Sequence, residues 1–155
     1  MLMGGIPLLE FGNTLKKLSV DYALVSDWRQ SWYLDPDCVA ELRARLLPLV
    51  PRYKHVVLIG NCLGGTGALL FAFMATKVLS FAPLTSLKHA RGSYWLNSLR
   101  FSKELVNSVE QRIEESIAQC RGPVCVYYGQ KDAYFAQYLP KHANVTVQMS
   151  AATPS

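Results

Sequence analysis

Charge is scarce in this chain: Asp, Glu, Lys and Arg make up only 17% of its 155 residues. The net charge of +5 comes from scattered basic residues such as Lys16, Lys17, Arg43, Arg45, Arg52, Lys54, Arg91 and Arg100. No basic stripe interleaved with aromatics occurs, which argues against nucleic acid as a partner. The 4 cysteines, Cys38, Cys62, Cys120 and Cys125, are far apart and form no CxxC pair. That spacing argues against zinc or another metal and, with no signal peptide, favours reduced thiols. Long apolar runs are missing too. The opening MLMGGIPLLEFG has no basic n-region and is too short for secretion or for crossing a membrane. Asn144-Val145-Thr146 matches a glycosylation sequon, but without a secretory signal the match is coincidental. These absences lead to the expectation of a cytoplasmic protein with no membrane partner. Repeats, low-complexity tracts and linkers are also lacking, and half of the residues are hydrophobic, enough for one domain with a core.

What is present alternates. Leu8–Leu18 has helix-like apolar spacing, and Val20–Ser26 is a compact apolar strand candidate. After the aromatic loop DWRQSWYLDPD, Asp35-Pro36 opens a helix carrying Val39, Leu42 and Leu46 inward and stopping near Pro48. Val56–Ile59 is a strand apolar on both faces, followed by a helix over Gly65–Ala75 and a strand at Val78–Ala82. Leu105, Val109, Ile113 and Ile117 recur every four residues and predict a helix over Ser102–Cys120, stopped by Gly122-Pro123. Strand Val124–Tyr128, a short helix at Ala133–Lys141 and strand Val145–Met149 complete the order. Such alternation predicts an α/β fold: a mainly parallel sheet of about five strands with helices on both faces, a three-layer sandwich. Ligands in such sheets bind beyond the carboxyl ends of the strands.

One stretch on that edge carries chemistry: VVLIGNCLGGTGA at Val56–Ala68. Gly60 and Gly65 have the spacing of a phosphate-binding loop, but Thr66 follows directly and the lysine is missing. The spacing of a dinucleotide fingerprint does not occur. Gly60-Asn61-Cys62-Leu63-Gly64 fits a nucleophile elbow with cysteine in place of serine. Its glycines would make room for a strained nucleophile, and the Leu63 N–H would supply half of an oxyanion hole. A thiol at a helix N-terminus is where its pKa is expected to fall. The competing reading makes Cys62 a small buried residue in a tight turn.

GNCLGG resembles the elbow of the α/β-hydrolase family, and is similar to the GxCLGG form of dienelactone hydrolases and the GxCxGG box of polyhydroxyalkanoate synthases. The likeness extends through VLSFAP to YYGQKDAYFAQYL, about Val56 to Met149. It implies an α/β-hydrolase core in which Asp132, in a Gly-x-x-Asp turn after a strand, is the triad acid. It further implies cleavage of an ester, thioester or lactone in a small-molecule acyl substrate, without a cofactor. Acyl transfer of the polyester-synthase type is a variant.

The family places its histidine after the final strand, where this sequence has only SAATPS. His55 precedes the elbow strand at its far end, and His142 precedes the last strand. His89 lies on the correct edge but in another chain order, and is the candidate base. Family members also have more strands before the elbow, so the resemblance implies a single domain, 1–155, incomplete at both ends. In Met3-Gly4-Gly5-Ile6, Gly5 is the candidate remnant of the oxyanion loop. Tyr33 and Arg29 are candidates for substrate binding, Arg29 toward a carboxylate or phosphate; a packed aromatic loop with a solvated arginine is the plain alternative. Sheet edges left by missing strands would favour self-association. The rival reading is an inactive hydrolase-fold remnant or binding module without the triad histidine.

Overall fold

The structure, a computed structural model, describes residues 2–3, 6–7, 11–27, 31–90 and 102–150. The alternation seen in the sequence yields a 4-stranded sheet, and its strands follow chain order. After an antiparallel pair, β1 (Leu2–Met3) and β2 (Ile6–Pro7), and a single helical turn α1 (Gly12–Leu15) come α2 (Pro36–Leu46), β3 (Val57–Asn61) and α3 (Leu63–Leu70). Then follow β4 (Lys77–Phe81), α4 (Lys103–Asn107), α5 (Val109–Ala118), β5 (Val124–Tyr128) and β6 (Val145–Met149). β3, β4, β5 and β6 pair in parallel, so their carboxyl ends share one edge. Among the described residues no helix is long and apolar enough to cross a membrane.

Local chemistry explains the boundaries. Asp35 caps α2 by accepting the Cys38 N–H at 2.9 Å, and Pro36 occupies the first turn, where a missing N–H costs nothing. Ser102 caps α4 in the same way, accepting from Leu105 N. The single helix expected over Ser102–Cys120 is two. Ser108 bonds back to the Leu105 carbonyl through its hydroxyl at 2.8 Å, and its N–H is shared between the carbonyls of Glu104 and Leu105. Such back-bonding tightens a turn and bends the axis. At Gly122 the chain passes so close to Thr76 that a Cβ would meet the Thr76 carbonyl oxygen at 2.0 Å.

Two further expectations are corrected. Val20–Ser26 forms no strand; Val20, Tyr22, Leu24 and Val25 are exposed. β-propensity expresses packing against paired neighbours, and among the described residues this segment has no ladder partner. With it goes the fifth strand. The helix expected over Leu8–Leu18 shrinks to α1; residues 8–10 lie outside the described residues.

The sheet is also covered unequally. In register, Val78, Ser80, Val124, Val126 and Tyr128 share one face, and all are buried. Toward that face pack α3, which lies on β3 and β4, and α5, which lies on α3. α2 joins the same side: its Val39, Leu42 and Leu46 pack on the buried cluster, and Arg43 sits 4.8 Å over the Phe73 ring. Val57, Ile59, Leu79, Phe81, Cys125 and Tyr127 form the other face, where Val57 is 52% and Ile59 36% exposed. Among the described residues α2, α3 and α5 thus lie on the buried face, and the short α1 meets the other face through its N-cap Phe11, whose ring centroid is 6.1 Å from that of Phe81.

Candidate active site

β3 leads directly into α3 through Cys62, which adopts φ 50° and ψ −113°. A side chain at positive φ stores roughly 1–3 kcal/mol of strain and persists only where its surroundings force it. Those surroundings are explicit. The Cys62 N–H donates to the Phe81 carbonyl at 2.8 Å, and the Cys62 carbonyl accepts from Thr66 N at 3.0 Å. A Cβ on Gly60 would lie 2.1 Å from the Gly64 carbonyl oxygen, and one on Gly65 would lie 2.7 Å from the Phe81 oxygen. Gly64 has open space around its Cβ position. The close approach of strand and helix thus rests on Gly60 and Gly65, and not on the second glycine of the five-residue pattern.

Leu63 is the first residue of α3. The N–H groups of a first helical turn have no carbonyl four residues back, so they face outward at the helix start. Thr66, fully buried one turn on, fixes this helix to the loop after β4: its hydroxyl donates to the Leu84 carbonyl at 3.1 Å and accepts the Leu84 N–H at 3.0 Å.

Asp132 stands beyond β5 at the start of the 3-10 turn Ala133–Tyr138. Its N–H donates to the Gly129 carbonyl, and a Cβ on Gly129 would lie 3.8 Å from Oδ2, so the carboxylate folds back over that glycine. Nearby Tyr128 is buried, with the Thr85 hydroxyl beside its phenol. Burial pushes the Tyr128 phenol up to about 12, and the charge of Asp132 adds to the rise.

His89 follows β4 and is held by Ser86, Glu110 and Tyr138. Its Nδ1 lies 2.8 Å from Ser86 Oγ and 3.6 Å from Glu110 Oε1. Its ring stacks on Tyr138 at 4.3 Å. Ser86 Oγ donates to Glu110 at 2.6 Å, which uses the only proton of that hydroxyl. The short contact to His89 is then a hydrogen bond only if Nδ1 carries the proton, which leaves the Nε2 lone pair free to accept. Partial burial opposes ionisation of Glu110, yet the Ser86 hydroxyl and the Lys88 ammonium at 3.0 Å hold its carboxyl below the usual range. His89 is thus paired with Glu110 through Ser86, and Asp132 is not among its partners. The Ser-x-x-His spacing was the available signal. In the sequence Glu110 is simply a polar position between the apolar residues Val109 and Ile113.

The remaining candidates divide. Tyr33 is in the core, against Gly67 and edge-on to Phe71. Burial and then the nearby Asp27 charge push its phenol up to about 12. Asp27 is only 1% exposed and accepts from Ser31 Oγ and Tyr33 N at 3.1 Å, holding the turn in which Trp32 and Tyr33 both have φ 55°. Gly5 and Arg29 lie outside the described residues. His55 is exposed just ahead of β3, and His142 precedes β6.

Comparisons with protein-family models, with curated proteins and with solved structures gave no match.

Proposed function

We propose that this chain is an α/β-hydrolase-like enzyme of the reduced cytoplasm that cleaves ester, thioester or lactone bonds through Cys62. The observation that supports this most is the strained Cys62 backbone at a strand–helix junction, with Gly60 and Gly65 in close contact around it. Residues held in such conformations cluster at active sites. In the proposed reaction the Cys62 sulfur bonds to the substrate carbonyl carbon, and the Leu63 N–H donates to the developing oxyanion. His89 Nε2 takes the thiol proton and returns it to the departing alcohol or thiol. Water then releases the acid and restores the thiol, while Asp132 supplies negative charge at the same edge. Among the described residues no disulfide joins any of the 4 cysteines, as thiol chemistry requires.

The test is turnover of p-nitrophenyl acetate, with mass-spectrometric location of the acyl group. Acetyl on Cys62 and at least ~100-fold slower turnover by Cys62→Ala are expected. Labelling of Cys62 no faster than of Cys120 or Cys125 would sink the proposal. A second reading, a hydrolase-fold binding module, draws on the engagement of His89 with Glu110 in place of Asp132. The same assay separates the two.

Self-association belongs to this proposal. β3 is an edge strand among the described residues, and its Val57 and Ile59 are exposed, so two copies can pair edge to edge about a two-fold axis. Sedimentation should show a dimer that Val57→Lys dissociates; a monomer at high micromolar concentration refutes the pairing.

A further inference from the structure

A cavity of about 300 Å³ opens at the carboxyl ends of β4, β5 and β6. Phe81, Tyr127 and Gln148, register partners across the three strands, line it together with Ala82, Met149 and Ser150. The Phe81 and Tyr127 rings stack at 4.8 Å with 15° between their planes. Among the described residues no charged side chain lines the cavity. A carboxylate or phosphate would therefore lose its hydration there without an ionic partner.

Two connections tie this cavity to the elbow. The Phe81 carbonyl accepts the Cys62 N–H, so one residue belongs to both the cavity wall and the support of the candidate nucleophile. Ala82, the next residue, has φ 44°, and its N–H donates to the Tyr127 carbonyl at 2.7 Å. Strain thus occurs at the ends of two adjacent strands, at Cys62 and at Ala82, on the two sides of Phe81.

We infer that this cavity receives the single uncharged aromatic ring of an arylacyl substrate whose carbonyl reaches Cys62. The inference rests on the hydrolase reading and names its substrate class. Size supports one ring: an apolar cavity of roughly 150 Å³ holds benzene, so about twice that volume takes a ring with a short acyl arm. Pockets for larger ligands extend to roughly 1,000 Å³. Wall chemistry supports an aromatic group, because a ring packs offset or edge-on against an aromatic pair, and with Phe11 tilted on Phe81 at 6.1 Å it is the Tyr127 side that offers the surface. Gln148 and Ser150 leave polar groups to orient the arm. With a thioester, the Cys62 S–C bond forms, the substrate C–S bond breaks, and the departing thiol carries the proton away.

The experiment has a binding arm and a reaction arm. Cys62→Ala is titrated by NMR with phenylacetamide, an inert analogue, and with acetamide. Phenylacetamide is expected to bind at least ~10-fold more tightly, shifting the amides of Phe81, Tyr127 and Gln148. Adding Gln148→Trp, at an exposed position level with Tyr127 on the same face, should fill the cavity and weaken that binding at least ~10-fold with the circular dichroism unchanged. In the reaction arm, the intact chain should be acylated at Cys62 at least ~10-fold faster by a phenylacetyl thioester than by the matching acetyl thioester. Equal binding of the two amides, or binding indifferent to Gln148→Trp, overturns the inference. Acylation of Cys62 with no preference for the ring overturns it while leaving the hydrolase reading intact. Ring binding with no acylation of Cys62 removes the hydrolase reading, and the arylacyl assignment falls with it.

Discussion

At the scale of single residues, the elbow separates two glycines that look alike in sequence. Gly60 faces the backbone of α3 and has no room for a methyl group, whereas Gly64 faces open space. Gly60→Ala is therefore expected to destabilise the fold by about 3 kcal/mol, because backbone and not a flexible side chain must move. Gly64→Ala should be neutral or stabilising by up to ~1 kcal/mol, since alanine is the better helix former. Urea unfolding of both variants checks this, and equal losses would contradict it. The GxCxG pattern thus located the turn correctly, but the steric requirement passes from Gly64 to Gly65. A linear motif lists spacing; which Cβ meets the next strand depends on how the helix is laid over the sheet.

At the scale of elements, α5 is joined to the loop after β4 through Glu110, which meets Ser86, Lys88 and His89. Its carboxyl is held below the ordinary 4.5, so the stabilisation it gives is complete above that pH and is lost as pH falls through the lower, folded value. Glu110→Gln should consequently unfold more easily than the parent at neutral pH, with the gap narrowing as the solution is acidified below the carboxylate range. Chemical denaturation across that range measures it, and a gap constant down to acid pH would contradict the linkage. This contact was invisible in the sequence because Ser86 and Glu110 are 24 residues apart, on different elements. The helices and strands themselves were more legible. Pro36 after Asp35, the repeat from Leu105 to Ile117, and the apolar runs at Val57, Val78, Val124 and Val145 each announced an element from local chemistry. Ser108 was the exception: a serine inside an apolar repeat keeps the period while its hydroxyl breaks the helix.

At the scale of the whole molecule, alternation of strand and helix announced a parallel sheet, and the sheet formed. How completely each face is covered was not legible, because an apolar strand has the same sequence whether one face or both are covered. The helix-facing side holds Val78, Val124, Val126 and Tyr128 out of water, while Val57 and Ile59 on the opposite side remain in contact with it. Heat capacity measures that asymmetry. Unfolding raises it by roughly 12–15 cal/mol/K per residue in ordinary domains, chiefly through newly wetted apolar surface. Surface that is already wet in the native chain adds nothing to that increment. Differential scanning calorimetry of monomeric protein should accordingly give an increment below the ordinary range, and a value within it would mean that both faces are dry. A small increment flattens the dependence of stability on temperature, so a protein built on a half-clothed sheet should lose its fold gradually on heating and resist the cold.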